Sequence, residues 1–254
     1  MVSTQNASIF SVKINNIHVD EVLSFIQSTI DNNAQAVIAY VNIHALNLCY
    51  EIKWFRDFFN ACQLVFCDGV GVQLGAAMLG QKIDHRFTPP DWIDRLCQFA
   101  AENNWPIYFL GAKAGVAELA AEKLVKANPG LIITCHHGYF NHVGLENEAV
   151  IKKINDSGAK IVLVGMGMPR QESWIIENFH YTLSANIILP VGAMFDYVAG
   201  VVPRGPRWMT DHGFEWLSRL IIEPKRLWKR YLVGNPLFLW RVLKQRLGVL
   251  NLKG

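Results

Sequence analysis

Six short runs of apolar, largely β-branched residues constrain the fold of this chain most strongly, and helix-like patterns separate them. Such near-continuous apolar runs are typical of strands that are buried on both faces. Strands that alternate with helices favour a parallel sheet. We therefore predict an α/β fold with a Rossmann-like, doubly wound, mostly parallel sheet. The predicted strands are Ala36–Val41, Gln63–Cys67, Pro106–Leu110, Leu131–Cys135, Lys160–Val164 and Asn186–Val191.

The segments between these runs predict six helices. At 254 residues and 51% hydrophobic content, the chain is long enough to bury a full core. The helices are expected at His44–Phe59, Val70–Leu79, Asp91–Asn103, Gly115–Ala127, Glu146–Asp156 and Arg170–Phe179.

The cysteines and histidines give no sign of a disulfide framework or a metal site. The five cysteines are an odd number, widely scattered and without a C-x-x-C pair, so we interpret them as reduced core thiols. His136, His137 and His142 come closest to a metal-binding cluster, but they have no obvious carboxylate or thiol partner. We expect neither a metal nor a cofactor.

Charge divides the chain into two parts. Residues 204–254 carry 11 Lys and Arg against 3 Asp and Glu, whereas residues 1–203 carry 13 against 18. The basic residues are interleaved with aromatic and aliphatic ones, a composition that suits an anionic membrane surface. We predict an α/β catalytic body at 1–203 and a helical, basic, membrane-docking appendage at 204–254. The residues expected to face the membrane are Trp228, Lys229, Arg230, Trp240 and Arg241.

Neither a spanning helix nor a secretion signal is expected. No stretch reaches the roughly 18 uninterrupted apolar residues that a membrane span needs. The first six residues, Met-Val-Ser-Thr-Gln-Asn, lack the basic and apolar regions of a signal peptide. We expect a cytoplasmic protein that is peripheral on the inner face of the cytoplasmic membrane.

The segments that follow the predicted strands are rich in glycine and polar residues. Open parallel sheets bind ligands outside the carboxyl ends of their strands, so these segments are the candidate site. None matches a P-loop or a dinucleotide-binding fingerprint. No D-x-D occurs to hold a metal, so arginines and helix N-termini would have to neutralise any bound diphosphate. The segments are 42–44, 68–71, 111–115, 165–172 and 192–196.

Read in order, these segments and several others resemble the WecG/TagA/CpsF family of bacterial glycosyltransferases. Each piece is weak alone, but their joint order is highly specific, and the match spans most of residues 35–232. The pieces are Asn42 and the segments 67–71, 85–91, 109–113, 129–133, 138–140, 165–172, 192–196, 203–207 and 219–226.

The resemblance implies an inverting, metal-independent sugar transfer. The donor would be a UDP-sugar of the N-acetylmannosamine, N-acetylmannosaminuronic acid or glucose type, and the acceptor a polyprenyl-diphosphate-linked glycan at the cytoplasmic membrane face. The resemblance also implies that the appendage docks on the membrane and helps to close the active site. Tyr40 and Thr88-Pro-Pro90 depart from the family pattern, which leaves the sugar and acceptor specificity open.

Four residues are predicted to act in catalysis. Asp68 lies at the mouth of the sheet, where it would be either the base that deprotonates an attacking hydroxyl or an N-cap, and the resemblance favours the base. Asn42 and Gln171 are neutral amides suited to hydrogen-bonding a sugar or acceptor hydroxyl, or else turn and cap residues. Arg86 is suited to bind a diphosphate or the phosphates of the acceptor, or else is a solvated loop residue, and its place in the family's motif favours binding. His44 is interpreted as a helix-start residue.

A second set is expected to bind substrate. Glycines after strands shape a nucleotide pocket, although tight turns need them too. Two arginines of the tail would point at the diphosphate, as the resemblance implies. The set is Gly69, Gly111, Lys113, Gly165, Gly167, Phe195, Asp196, Arg204, Arg219 and Arg226.

Two other functions remain open. The basic aromatic tail also suits a nucleic acid, but that function leaves the polar strand ends unexplained, so no nucleic acid is expected as a partner. A catalytically silent nucleotide-binding module is the other alternative. Some self-association into a homo-oligomer is expected because so apolar a tail is poorly soluble when undocked, although a membrane would cover it equally well.

Overall fold

The computed structural model describes residues 6–206, 209, 213, 215–250 and 252, and these form two compact units. The first unit comprises residues up to His18, residues 39–88 and those from Pro203 onward. The second comprises residues 19–38 and 89–202. The chain returns to the first unit at Pro203, next to the predicted start of the appendage. The membrane-docking role of residues 204–254 stays a prediction.

Eight strands form two sheets. β1 and β2 pair as an antiparallel hairpin, and the other six form a sheet of order β4-β3-β8-β7-β5-β6. The pairs β3–β8, β8–β7, β7–β5 and β5–β6 are parallel, which confirms the predicted fold class. The strands are β1 Ala7–Ile9, β2 Val12–Ile14, β3 Ala36–Val41, β4 Leu64–Cys67, β5 Ile107–Gly111, β6 Ile133–His136, β7 Ile161–Gly165 and β8 Ile187–Pro190.

Helices connect the strands and form the C-terminal segment. In that segment, the helix Pro224–Trp228 continues into a π-helical turn at Lys229–Val233, and the turn leads into the helix Gly234–Arg246. The helices are α1 Val19–Asp31, α2 Ile43–Glu51, α3 Lys53–Ala61, α4 Val70–Met78, α5 Pro89–Glu102, α6 Val116–Ala127, α7 Leu145–Asp156, α8 Arg170–Thr182, α9 Met194–Ala199, α10 Glu215–Ile222, α11 Pro224–Trp228 and α12 Gly234–Arg246. Among the described residues, no helix is both long enough and apolar enough to cross a membrane.

Burial explains why the apolar runs become strands. Every residue of β3, β5 and β7 is buried, as expected for strands with no face toward water. The six predicted strands all occur, within three residues of the predicted ends. Among the described residues, the cysteines are free, and Cys49, Cys67 and Cys97 are buried.

The N-terminal hairpin was not predicted, because its turn lacks the usual sequence signal. Phe10 and Ser11 have φ angles of 52° and 62°, the left-handed conformation for which tight hairpins normally use Asn or Gly. Burial of the Phe10 side chain offsets that cost, because its ring packs edge-on against Tyr50 and Phe238. Tertiary packing therefore sets this turn.

The single helix predicted for His44–Phe59 is two helices in the structure. Ile52 takes an extended conformation, with φ −123° and ψ 110°, and separates α2 from α3. The buried Arg56 of α3 donates a hydrogen bond of 3.0 Å to the Cys49 carbonyl near the end of α2. A terminal helix carbonyl needs such a partner, and the sequence carries no Gly or Pro that marks this break.

Candidate active site

A cavity of about 270 Å³ lies within the first unit, at the carboxyl ends of β3 and β4. Its walls also come from α4, α10, the π-helical turn and α12. Predicted site residues from four separate parts of the chain meet here, together with one residue predicted to face a membrane. These lining residues are Asn42, Asp68, Gly69, Arg86, Arg219 and Arg230.

Asp68 is held at this cavity by β3 and by Asn42. Its backbone N–H donates to the Val41 carbonyl at 2.8 Å, and the Asn42 amide donates to its Oδ2 at 3.1 Å. The amide oxygen of Asn42 accepts from the Ala45 N–H at 3.0 Å, so Asn42 is also the N-cap of α2. Asn42 is therefore a positioning residue for Asp68. The N-cap of α4 is Gly69 rather than Asp68.

The environment raises the pKa of Asp68 to about 6. Burial is the main cause, and the negative charge of Glu215 adds to it. Arg219, the Asn42 hydrogen bond and Arg230 act in the opposite direction and favour the carboxylate. At neutral pH the group is mostly ionised, yet basic enough to accept a proton from a reacting hydroxyl.

Arginines give the cavity its cationic groups. Arg219 lines the cavity and pairs with Glu215 at 2.9 Å. Arg204 lies 3.8 Å from the same carboxylate but is not among the residues that line the cavity. Arg204 also donates to the Thr88 hydroxyl at 3.4 Å. Arg230 is half-buried and makes no ion pair with any described residue. A cavity with this composition can accommodate a multiply charged anion such as a diphosphate.

His44 also lines the cavity, although it is not among the catalytic residues predicted from the sequence. Burial lowers its pKa to about 4, and the charge of Arg230 contributes. Its imidazole is therefore neutral at pH 7 and can donate or accept a hydrogen bond. The only sequence signal was its place two residues after Asn42, at the same strand end.

Gln171 lies in the second unit, where it is fully buried. Its side-chain oxygen accepts from the N–H groups of Gly167, at 3.2 Å, and Gly192, at 3.1 Å. Its amide nitrogen donates to Glu172 at 2.7 Å. Gln171 thus connects the segments after β7 and β8, and full burial does not fit its predicted hydrogen bond to a substrate hydroxyl.

Glu172 is a residue that sequence reasoning missed. Its side chain is fully buried, and burial raises its pKa to about 7, against the opposing effect of the Gln171 hydrogen bond. One carboxylate oxygen of Glu172 orients the Gln171 amide, and the other has no hydrogen-bond partner within the described residues. This carboxyl group therefore holds the amide that connects the two segments.

Of the predicted glycines of the second unit, Gly111 and Gly165 allow close packing, whereas Gly167 has open space around it. A Cβ on Gly165 would lie 2.6 Å from the Phe195 ring, and one on Gly111 would lie 2.3 Å from the Gly165 carbonyl oxygen. Gly167 has φ 78° and open space around its Cα, as in a turn. In the same unit, Lys113 is exposed and Asp196 is half-buried in α9.

Of the five C-terminal residues predicted to face a membrane, Arg230 lines the cavity, three are exposed and one is buried. Trp228, Lys229 and Trp240 are exposed, with Lys229 stacked over the Trp228 ring. The membrane-facing prediction is wrong for Arg241, which is 6% exposed and bonds Asn47 at 2.9 Å. Arg241 also pairs with Glu51 and lies over the Tyr50 ring.

Arg226 is exposed and pairs with Glu223, and it is not among the residues that line the cavity. Arg207, at the end of the segment 203–207, lies outside the described residues.

Comparison with known proteins gives the chemical class of this site. A model of the glycosyl transferase WecG/TagA/CpsF family matches residues 7–251, nearly the whole chain. The chain belongs to this family. It is therefore a glycosyltransferase, as the order of its strand-end segments predicted.

Proteins with a named activity are among the relatives of this chain. A protein of Staphylococcus aureus strain NCTC 8325 / PS 47 is 28% identical over 228 residues, which cover 90% of this chain and 87% of the relative. A protein of strain MW2 is 27% identical over the same coverage. Both are named N-acetylglucosaminyldiphosphoundecaprenol N-acetyl-beta-D-mannosaminyltransferase.

Proposed function

We propose that this enzyme transfers an N-acetylmannosamine-type sugar from a UDP-sugar to a polyprenyl-diphosphate-linked N-acetylglucosamine. The observation that carries this proposal is Asp68, a carboxylate with a pKa raised to about 6 that opens onto a cavity containing arginines. The names of the two Staphylococcus aureus relatives supply the sugar and the acceptor. Of the three donor types that the sequence left open, the proposal takes the N-acetylmannosamine type.

Asp68 acts as the general base in this proposal. Its carboxylate takes the proton of the acceptor hydroxyl while the hydroxyl oxygen forms a bond to the anomeric carbon of the donor sugar. The bond from that carbon to the UDP oxygen breaks on the opposite face, and UDP leaves with the bonding electron pair. Attack opposite the leaving group inverts the anomeric centre. Asn42 holds the base in place through its 3.1 Å hydrogen bond.

Arginines neutralise the substrate diphosphates in place of a metal ion: Arg86 is assigned to the UDP diphosphate of the donor, and Arg219 and Arg230 to the diphosphate of the acceptor. Arg86, Arg219 and Arg230 line the same cavity as Asp68, and guanidinium groups bind phosphate oxygens in a bidentate manner. Neutralisation by arginine makes the transfer metal-independent. The donor-binding role of Gly111, Lys113, Gly165 and Gly167 stays a prediction.

The exposed C-terminal surface would bind the cytoplasmic membrane face peripherally. Trp228, Leu232, Val233 and Trp240 are between 45% and 57% exposed. The basic side chains of Lys225, Arg226 and Lys229 are exposed on the same segment. Each basic group near an anionic leaflet contributes about 1 kcal/mol, and the aromatic rings suit the interface.

The test is UDP release from a panel of UDP-sugars in the presence of EDTA. Each donor is assayed with and without a polyprenyl-diphosphate-linked N-acetylglucosamine in detergent, and D68N serves as the matched control. Acceptor-dependent release from UDP-N-acetylmannosamine, lost in D68N, is the expected result. Release that requires added metal would refute metal independence. Donor binding without release on any acceptor would indicate the catalytically silent module.

A further inference from the structure

The cavity that contains Asp68 has an apolar wall that the chemistry at Asp68 does not use. Val70 and Leu74 of α4, Trp216 of α10 and Leu239 of α12 all line it. Val70 is 41% exposed and Leu74 is 51% exposed, which is unusual for aliphatic residues that line a cavity. Their exposure leaves apolar area available to a ligand.

This wall is a seam between two helices of the same unit. Gly75 of α4 lies so close to α12 that a Cβ there would be 2.6 Å from the Phe238 ring. Phe238 is fully buried, so this contact closes the floor of the seam. The neighbouring residues Leu74 and Leu239 both line the cavity beside it. The seam therefore has an aliphatic lining over a closed floor.

The polar and apolar parts of the cavity match the parts of one ligand. Asp68 and Asn42 suit a sugar hydroxyl, and Arg219 and Arg230 suit a diphosphate. A branched hydrocarbon attached to that diphosphate would need an apolar surface beside the arginines, which α4 and α12 supply. Val233, on the turn before α12, and Trp240, on α12 itself, are further exposed apolar residues of the same segment.

We propose that the α4–α12 seam, through Leu74 and Leu239, binds the first isoprene units of the lipid-linked acceptor. This inference rests on the proposed function and deepens it, because it makes the lipid part of what the enzyme recognises. Burial of apolar methylene groups against the seam is favourable, so a few isoprene units should lower the acceptor KM at least tenfold.

The experiment compares two acceptors that differ only in the lipid. N-acetylglucosaminyl diphosphate is esterified either to farnesol, with three isoprene units, or to methanol. The wild-type enzyme should show a farnesyl KM at least tenfold below the methyl KM. L74S and L239S should each reduce the ratio of the methyl KM to the farnesyl KM about tenfold. L119S, which changes an exposed leucine of α6 in the second unit, is the matched control and should leave the ratio unchanged.

The outcomes separate the inference from the function it rests on. Equal KM values for the two acceptors in the wild type, or an unchanged ratio in both variants, would overturn the isoprenoid site alone. A higher KM for the UDP-sugar in L74S, with the acceptor ratio intact, would assign the seam to the nucleotide and also overturn it. Absence of transfer to either acceptor by the folded wild-type enzyme would overturn the proposed function itself.

Discussion

The two units use polar residues after parallel strands in different ways. In the first unit, Asp68 follows β4 and opens onto a cavity, with arginines of the C-terminal segment around it. In the second unit, Gln171 and Glu172 follow β7 and are fully buried. Their hydrogen bonds serve each other and the backbone of Gly167 and Gly192.

This difference shows that a polar residue at a strand end can act on a ligand or hold the loop that carries the ligand site. Asn42 and Gln171 are both amides at strand ends, and sequence alone suggested the same role for both. The structure makes both of them positioning residues, one for a carboxylate and one for two loops. In our proposal, the first region carries the reacting group.

The largest expected effect belongs to Asp68. D68N should lower kcat by about 10³-fold, in the range that loss of a general base causes. Because burial and Glu215 disfavour the charged carboxylate, the neutral amide should not lower the Tm at pH 8. Steady-state kinetics measure kcat, and thermal melts measure the Tm. A kcat within threefold of wild type would contradict the role of Asp68.

Close packing in the second unit predicts the next largest effect. G165A places a Cβ 2.6 Å from the buried Phe195 ring, and overpacking of this kind costs about 1–3 kcal/mol in the free energy of unfolding. G234A in the first unit is the control, because its Cβ would make an ordinary contact of 3.6 Å. Urea unfolding compares the two. Equal stabilities would show that the second unit is less tightly packed than the distances indicate.

The C-terminal arginines provide a comparison within the first unit. R219A removes a guanidinium from the cavity and should raise the acceptor KM about tenfold, as loss of a charged hydrogen bond does. R226A removes an exposed group paired with Glu223 and should leave that KM within twofold in detergent. R226A should instead weaken binding to anionic vesicles, measured by co-sedimentation. Equal effects of R219A and R226A on the acceptor KM would contradict the different roles given to the two arginines.

The prediction for Glu172 concerns stability and its dependence on pH. Its pKa is raised from 4.5 to about 7, so the folded state loses stability relative to E172Q as pH rises from about 4.5 to about 7. The Tm of E172Q minus that of wild type should increase over this range and then level off. Thermal melts at several pH values measure it. A pH-independent difference would mean that Glu172 ionises normally.

The sheet was predictable because continuous apolar runs leave few alternatives to buried strands. Gly69, Asn42 and Asp68 were also identified correctly as strand-end residues that meet at one edge. The hairpin at Phe10 was missed because tertiary packing, not local turn chemistry, sets its conformation. Arg241 was assigned to the surface because composition does not reveal that Glu51 and Tyr50 pair with a basic residue in the interior.

The pH dependence of kcat/KM at limiting acceptor tests most directly whether the first unit carries the reacting group. Since Asp68 must be ionised to act as a base and has a pKa of about 6, kcat/KM should rise tenfold per pH unit below about 6 and level off above it. The same rise in kcat/KM below about pH 6 should remain in the E172Q variant. A profile that is flat from pH 4.5 to 8, or a limb near pH 7 that E172Q abolishes, would contradict this account.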